Sequence, residues 1–150
     1  FNVGVAAFQD CHPASYGNYT EDVLVLLEKE RRGAQFATTQ FFFSADKYFN
    51  LVNELRERGS KLPIFAGILP ITQVKQLSRM AQLGGTPIPP EIMKAFIEVE
   101  NEPEKVKALG IEIAVNLCNE LIAMGVPGLH FYTMNSAYAT KEIVKRIGLR

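Results

Sequence analysis

The sequence predicts an α/β chain of four successive strand–helix units on a parallel sheet. Short apolar, β-branched runs recur four times, and each delivers polar side chains at its end. Val3-Gly4-Val5-Ala6-Ala7 leads to Gln9, Asp10 and His12, and Thr38-Thr39-Gln40-Phe41-Phe42-Phe43 leads to Ser44. Pro63–Leu69 leads to Pro70 and Thr72, and Gly128–Tyr132 to Thr133 and Asn135. Buried parallel strands look like this when their C-terminal ends carry the working residues. Between the runs lie segments of helical periodicity, and parallel neighbours need such crossovers.

In order, residues 2–7 read as the first strand. The turn-rich segment Pro13–Tyr19 leads through Thr20, a candidate N-cap, into a helix over about 20–32. Val23, Leu24 and Leu27 are its expected inward stripe and Gly33 its stop. The second strand spans 36–42. Ser44 is expected to cap a helix near 45–58, with Tyr48, Leu51, Val52 and Leu55 at helical spacing and Gly59 at its end. The third strand is 63–69, and the helix after Pro70, about 73–83, breaks at Gly84-Gly85. Ile88-Pro89-Pro90-Glu91 opens a short helix, because proline suits a first turn. Pro103–Met124 is the longest helix, with Val106, Leu109, Ile113, Ala114, Leu117, Leu121 and Ile122 mostly three or four residues apart. It exceeds what one crossover needs, so part of it is expected to pack beyond the sheet. A strand at 128–132 and a helix over Ala139–Ile147, ending at Gly148, complete the pattern.

A length of 150 residues fits one domain, and 47% hydrophobic with 21% charged residues is an ordinary globular balance. Sixteen basic and sixteen acidic side chains cancel, which gives no electrostatic case for a nucleic-acid or anionic-membrane partner. The apolar runs are strand-sized, too short for a membrane-spanning helix. No signal peptide is visible and the first residue is Phe1, so targeting stays open, with the cytoplasm (cytoplasmic localisation) as the default expectation. Cys11 in a loop and Cys118 in a helix read as reduced thiols.

Two architectures satisfy four βα units: a small open sheet, or half of an eight-stranded barrel. No glycine-rich phosphate loop follows any strand, and Gly4 sits inside the first strand rather than after it. Every candidate polar group instead follows a strand, on one rim. This favours a (βα)8 TIM-barrel, of which the chain covers about four units, a half-barrel. A first strand at the very start of the chain is what a sequence cut from something longer would show.

Among candidate site residues, His12 in Gln9-Asp10-Cys11-His12-Pro13 either bonds a cofactor's phosphate or ribose or packs a turn. With two histidines in the chain, and Cys11 and His12 adjacent, no tetrahedral metal set is expected. His130, inside the fourth strand, is expected to face a barrel interior as a satisfied structural residue. Gln40 both donates and accepts at a strand end, so it either reads a heterocycle with adjacent N–H and C=O groups or closes a backbone gap in the rim. Phe41, Phe42 and Phe43 alternate across the sheet, so one or two belong to the core. Tyr132 offers an aromatic face and a hydroxyl on the fourth strand. No Ser-His-Asp or Cys-His pair has support, and Glu91, Glu98 and Glu100 read as surface or turn acids.

Thr39-Gln40-Phe41-Phe42-Phe43, Gly67-Ile68-Leu69-Pro70 and His130-Phe131-Tyr132-Thr133-Met134-Asn135 resemble signature segments of methylenetetrahydrofolate reductases. Val5-Ala6-Ala7 and His12-Pro13 fall in the same order at similar spacing, so the resemblance runs over essentially all of the chain. It implies strands five to eight of the family's flavin-binding barrel, the C-terminal half. It implies NADH- or NADPH-dependent reduction of 5,10-methylene-tetrahydrofolate to 5-methyl-tetrahydrofolate through FAD. By that resemblance Ala6, Phe8, His12, Asp22 and Lys29 bind FAD, while Gln40, Gln76 and Tyr132 serve the folate or nicotinamide pocket. The catalytic residues are expected in the half that precedes these strands, and the folate, the rest of the barrel and further copies of the protein are the implied partners. Four positions depart from the family's pattern. Phe8 lacks a tyrosine's hydroxyl, and Val25 and Glu28 stand where an asparagine and a basic residue are expected. Ser136 stands for an arginine. The alternative is a reductase-like half-barrel that does not catalyse and acts as a binding or assembly subunit. A different barrel enzyme with a related cofactor rim is the third reading.

Overall fold

The computed structural model describes residues 1–149, with residues 76, 83 and 84 described by backbone alone. Strands β1 (Gly4–Ala7), β2 (Phe36–Phe41), β3 (Ile64–Ile68) and β4 (Leu129–Phe131) form one sheet in sequence order. All three pairings are parallel. The connections carry helices α1 (Tyr19–Arg31), α2 (Ala45–Glu57), α3 (Val74–Gly84), α4 (Pro90–Glu98) and α5 (Pro103–Ala123), and α6 (Ala137–Arg146) follows β4.

The main core lies on one side of the sheet. Ala7, Ala37, Ile64, Ala66 and Ile68 meet Val23 and Leu26 of α1, Leu51 and Leu55 of α2, Ala114 and Leu121 of α5, and Ile143 of α6. The alternate residues Gly4, Ala6, Phe36, Thr38, Phe65 and His130 stand on the other side, intermediate or exposed. Parallel strands in sequence order with a common helical layer are the singly wound arrangement of a barrel wall. A doubly wound sheet would need helices on both faces. The fold is therefore α/β, four parallel strands with flanking helices, as half of a (βα)8 barrel is built.

Some local expectations shift. Asn18, not Thr20, caps α1, its side chain accepting from the Glu21 N–H at 3.2 Å. The helix consequently starts a residue early, and its inward stripe falls on Val23 and Leu26, while Leu24 is 51% exposed. Ser44 occupies the N-cap position of α2 but its hydroxyl makes no capping bond. The last helix begins at Ala137 rather than Ala139. Strand ends retreat by one or two residues, because only the ladder-bonded centre counts as strand.

The long helix α5 packs in two places, as its length suggested. Its C-terminal half joins the main core. Val106, Leu109 and Ile113 join a second cluster with Phe41, Leu69, Ile71, Leu77 and Phe96. Gly110 makes this possible: a Cβ there would collide with the Ile71 carbonyl, so the helix abuts the β3–α3 loop through bare backbone. The second cluster supports the rim from outside the sheet.

Candidate functional site

The rim is shaped by one irregularity in β2. Thr38 pairs with Phe65, yet Phe41 pairs with Gly67, so three steps along β2 match two along β3. A bulge of this kind strips backbone groups of ladder partners and re-aims side chains. Here side chains take up the stripped groups. The Gly67 N–H donates to Thr39 Oγ1 at 2.8 Å, and the Tyr132 hydroxyl donates to the Thr39 carbonyl at 2.9 Å. The Phe41 N–H donates to Gln40 Oε1 at 3.0 Å. The Phe41 carbonyl accepts from Thr86 Oγ1 at 3.0 Å and Gln9 Nε2 at 3.3 Å. Gly67 is required here, since a Cβ would meet the Thr39 and Gln40 carbonyls and the Tyr132 ring.

Gln40 thus closes a backbone gap with its carbonyl, while its amide NH2 has no hydrogen-bond partner among the described residues. Tyr132 spends its hydroxyl on Thr39 and keeps its ring, edge-on to His130 at 5.0 Å and to Phe41 at 6.3 Å. Burial pushes its phenol pKa up. His130 stands on the sheet face turned away from the helices, the side expected to line a barrel interior, but it is exposed there and, among the described residues, its side chain has no hydrogen-bond partner. It shares a shallow cleft on the open sheet face with Ala6, Phe36, Thr38 and Tyr132. Phe41 and Phe42 are both buried, in different clusters, and Phe42 stacks on Tyr48 at 5.9 Å. Gln76, expected in the folate pocket, lies outside the described residues.

The five residues expected around the flavin line a single cleft of about 440 Å3 at the end of β1. Ala6, Phe8, His12, Asp22 and Lys29 all border it, with Val25 beside them. Asp22 Oδ2 accepts from the His12 N–H at 2.7 Å and from Ser15 Oγ at 2.8 Å, which ties the β1–α1 loop to α1. His12 Nδ1 accepts from the Ala14 N–H at 3.0 Å, so its neutral ring carries the proton on Nε2. Its ring meets Phe8 edge-to-face at 4.4 Å. Lys29 Nζ donates to the Ala6 carbonyl at 2.9 Å, across the edge of β1. Glu28 faces two arginines, Arg31 Nε at 2.6 Å and Arg32 Nε at 2.7 Å, and these hold its carboxyl down to about 2. Glu28 is not among the residues that line the cleft.

Sequence reasoning named Asp10 only as a strand-end residue; the structure gives it weight. Its side chain is 6% exposed, accepts from Gln9 Nε2 at 2.7 Å, and lies 3.9 Å from Lys47. Burial pushes its carboxyl pKa up, against the lowering pull of Gln9 and Lys47. Gln9 is buried with Oε1 unpaired. The pKa shift sets a sign: the folded state holds the Asp10 proton more tightly than the unfolded chain does. Burial therefore costs stability when Asp10 is charged, above the raised folded pKa, and nothing below the unfolded value of 3.8. Asp10→Asn should gain stability relative to the parent as pH rises through that window, as read by urea denaturation at several pH values. A difference that stays flat with pH would rule out the burial cost.

Thr39, Gly67 and Thr86 were also missed. A glycine inside a strand was the available signal for Gly67, since it marks close backbone approach. Nothing local marks Thr86, which reaches Phe41 from the α3–α4 connection. Among the described residues no group of three His, Cys, Asp or Glu side chains could hold a metal ion, and no helix is long and apolar enough to cross a membrane. The cysteines are free, and burial pushes Cys118 up to about 12.

These features define a parallel βα half-barrel with its polar side chains gathered on the C-terminal rim. The family model for methylenetetrahydrofolate reductase matches residues 1–148. The chain belongs to that family. Methylenetetrahydrofolate reductase 1 of Schizosaccharomyces pombe is 36% identical over 149 residues, 99% of this chain and 24% of its own length. The 5,10-methylenetetrahydrofolate reductase of Pectobacterium carotovorum is 33% identical over 150 residues, all of this chain and 50% of its own length. The chain thus spans a quarter of the first relative and half of the second. A solved structure is described as an uncharacterized protein from Clostridium thermocellum that binds two copies of 5-methyl-5,6,7,8-tetrahydrofolic acid. It aligns with a TM-score of 0.64 and 17% identity, over 99% of this chain and 53% of that one. That likeness is one of fold.

Proposed function

We propose that this chain is the C-terminal half of a flavin-dependent (βα)8 barrel, completed within the same chain or by a partner chain. The activity is NADH- or NADPH-dependent reduction of 5,10-methylene-tetrahydrofolate to 5-methyl-tetrahydrofolate. The observation that carries this reading is the cleft after β1, where Ala6, Phe8, His12, Asp22 and Lys29 converge. Its volume lies in the range of small-molecule sites, and its donor set suits a phosphorylated, aromatic group. Lys29 supplies charge, His12 Nε2–H a donor, and the Phe8 ring an apolar wall. FAD, bound there, would supply the redox couple that links nicotinamide to folate.

The chain's own residues would bind and orient. Asp22 holds His12 in place, Lys29 stands at the diphosphate or adenosine end, and the bulge presents the Gln40 amide beside Tyr132 to a pterin. Gln76 would add to that pocket. The catalytic acid would come from the half that completes the barrel. Open strand edges invite association, which fits a protein that works as part of a larger chain or a homo-oligomer.

The test is flavin content. The completed protein should show flavin absorbance and oxidise NAD(P)H when 5,10-methylene-tetrahydrofolate is supplied, while the isolated 150 residues bind FAD poorly. Stoichiometric FAD on a monomeric 150-residue chain, by absorbance and light scattering together, would overturn the half-barrel reading. A completed protein without flavin or reductase activity would favour the non-catalytic assembly subunit.

A further inference from the structure

Phe8 and His12 border the cleft at the end of β1, and Gln9, which lies between them in the chain, does not. Its buried side chain turns instead toward β2. Gln9 Nε2 donates to Asp10 Oδ2 at 2.7 Å and to the Phe41 carbonyl at 3.3 Å. Both partners are acceptors, which fixes the orientation of the amide. The N–H of the same Phe41 donates to Gln40 Oε1. One residue of β2 therefore holds the β1–α1 loop through its carbonyl and the Gln40 side chain through its N–H. The α3–α4 connection joins them: Thr86 Oγ1 donates to the same carbonyl, and a Cβ on Gly85 would sit 3.1 Å from the Pro13 ring.

Two further observations show that this loop is held by its contacts. Cys11 is left-handed, with φ 74°, a conformation that a non-glycine residue keeps only where its surroundings fix it. Gln9 Oε1 is buried with no hydrogen-bond partner among the described residues. An unpaired buried acceptor works against stability, and an apolar side chain of the same size would avoid it. The use of the amide is therefore its donor end, on Phe41 and Asp10.

We propose that Gln9 is a positioning residue for the reduction, one that sets the flavin cleft against the Gln40 amide through Phe41 without touching either ligand. This rests on the flavin and folate reading given above. The reduction needs its two ligands in contact and aligned, and a small displacement of either lowers the rate steeply. Phe8 and His12 belong to the loop that Gln9 anchors, and Gln40 belongs to the strand it is anchored to. Without the anchor the two move independently.

The experiment is a double-mutant cycle on the completed protein, read by stopped-flow reoxidation of the reduced flavin with saturating 5,10-methylene-tetrahydrofolate. Gln9→Met, which keeps the size and deletes the amide, should slow the limiting rate about three- to tenfold. Added to Gln40→Glu, it should slow the rate further by less than about twofold, because the amide it positions is already gone. Losses that multiply would make Gln9 merely structural and overturn the proposal. So would a Gln9→Met rate equal to the parent's. Gln9→Asn, an amide one methylene shorter, should fall between the parent and Gln9→Met, and it carries the same cycle if Gln9→Met does not fold. Hydrogen exchange on the flavin-free protein reads the anchor without turnover. Gln9→Met should quicken exchange in residues 8–15 and in residues 41–44, and unchanged exchange in either segment would overturn the anchor. A parent whose reduced flavin is not reoxidised by the folate ends the folate reading, and this proposal with it. A parent that is reoxidised, with multiplying losses in the cycle, ends the proposal alone.

Discussion

Glutamate in place of Gln40 should lower folate turnover about tenfold or more while the rim keeps its shape. The geometry makes this variant sharper than leucine. Gln40 Oε1 accepts from the Phe41 N–H at 3.0 Å, so glutamate retains that acceptor and deletes only the amide donor. Leucine deletes both and strands the Phe41 N–H in a part-buried position, at a cost of about 1–3 kcal/mol. Gln40→Leu should therefore lose stability as well as turnover, and Gln40→Glu turnover alone. A neutral hydrogen bond is worth about 0.5–1.5 kcal/mol, and glutamate adds a charge facing a pterin edge, so a tenfold loss is the scale to expect. Reduction of the flavin by NAD(P)H should change less than its reoxidation by folate, and stopped-flow measurement separates the two. Equal losses in both steps would mean that Gln40 orients something common to them. An unchanged Gln40→Glu enzyme would leave the side chain with its backbone role only.

Removing the Asp22 carboxylate should loosen FAD by tenfold or more without emptying the folate pocket. Asp22 Oδ2 accepts from both the His12 N–H and Ser15 Oγ, and these bonds hold the loop that carries His12 and Phe8 over the cleft. Hydrogen bonds to a charged group are worth about 1.5–3 kcal/mol each, and part of that will be recovered by water at this half-buried site. Asp22→Ala should cost about 2 kcal/mol of stability and free the loop. Asp22→Asn, which keeps one acceptor oxygen, should sit between the two. Flavin release during dialysis and urea unfolding measure the two effects. If Asp22→Ala weakens FAD while loop stability is unchanged, the carboxylate acts on the cofactor directly. If neither changes, it does neither.

Much of the scaffold was legible because periodicity and punctuation are local. Apolar runs of strand length, three- and four-residue spacing in Pro103–Met124 and the glycines after the helices placed the four strands and six α-helices, though not the 3-10 turn at Pro13–Ser15, and the polar strand ends placed the rim. The errors were local competitions that spacing does not settle. Asn18 and Thr20 are both good caps, and geometry favoured Asn18. Once α1 started there, the apolar stripe rotated onto Leu26 and left Leu24 outside.

The site was legible in part. Alternation said that the three phenylalanines could not share one face, and the order of the segments tied His12, Asp22 and Gln40 to one family. What only the tertiary structure decided is how these side chains are spent. The bulge between Thr38 and Phe41 depends on pairing with β3, and no property of β2 alone requires it. It turns the Gln40 carbonyl to its own backbone, and Tyr132 reaches Thr39 from 93 residues away. Thr86 and Gln9 converge on the Phe41 carbonyl from two other connections. Local sequence specifies which elements form, because helix and strand patterns are satisfied within a few residues. It cannot specify which buried donor meets which stripped acceptor, because that partner is chosen only when distant segments pack together.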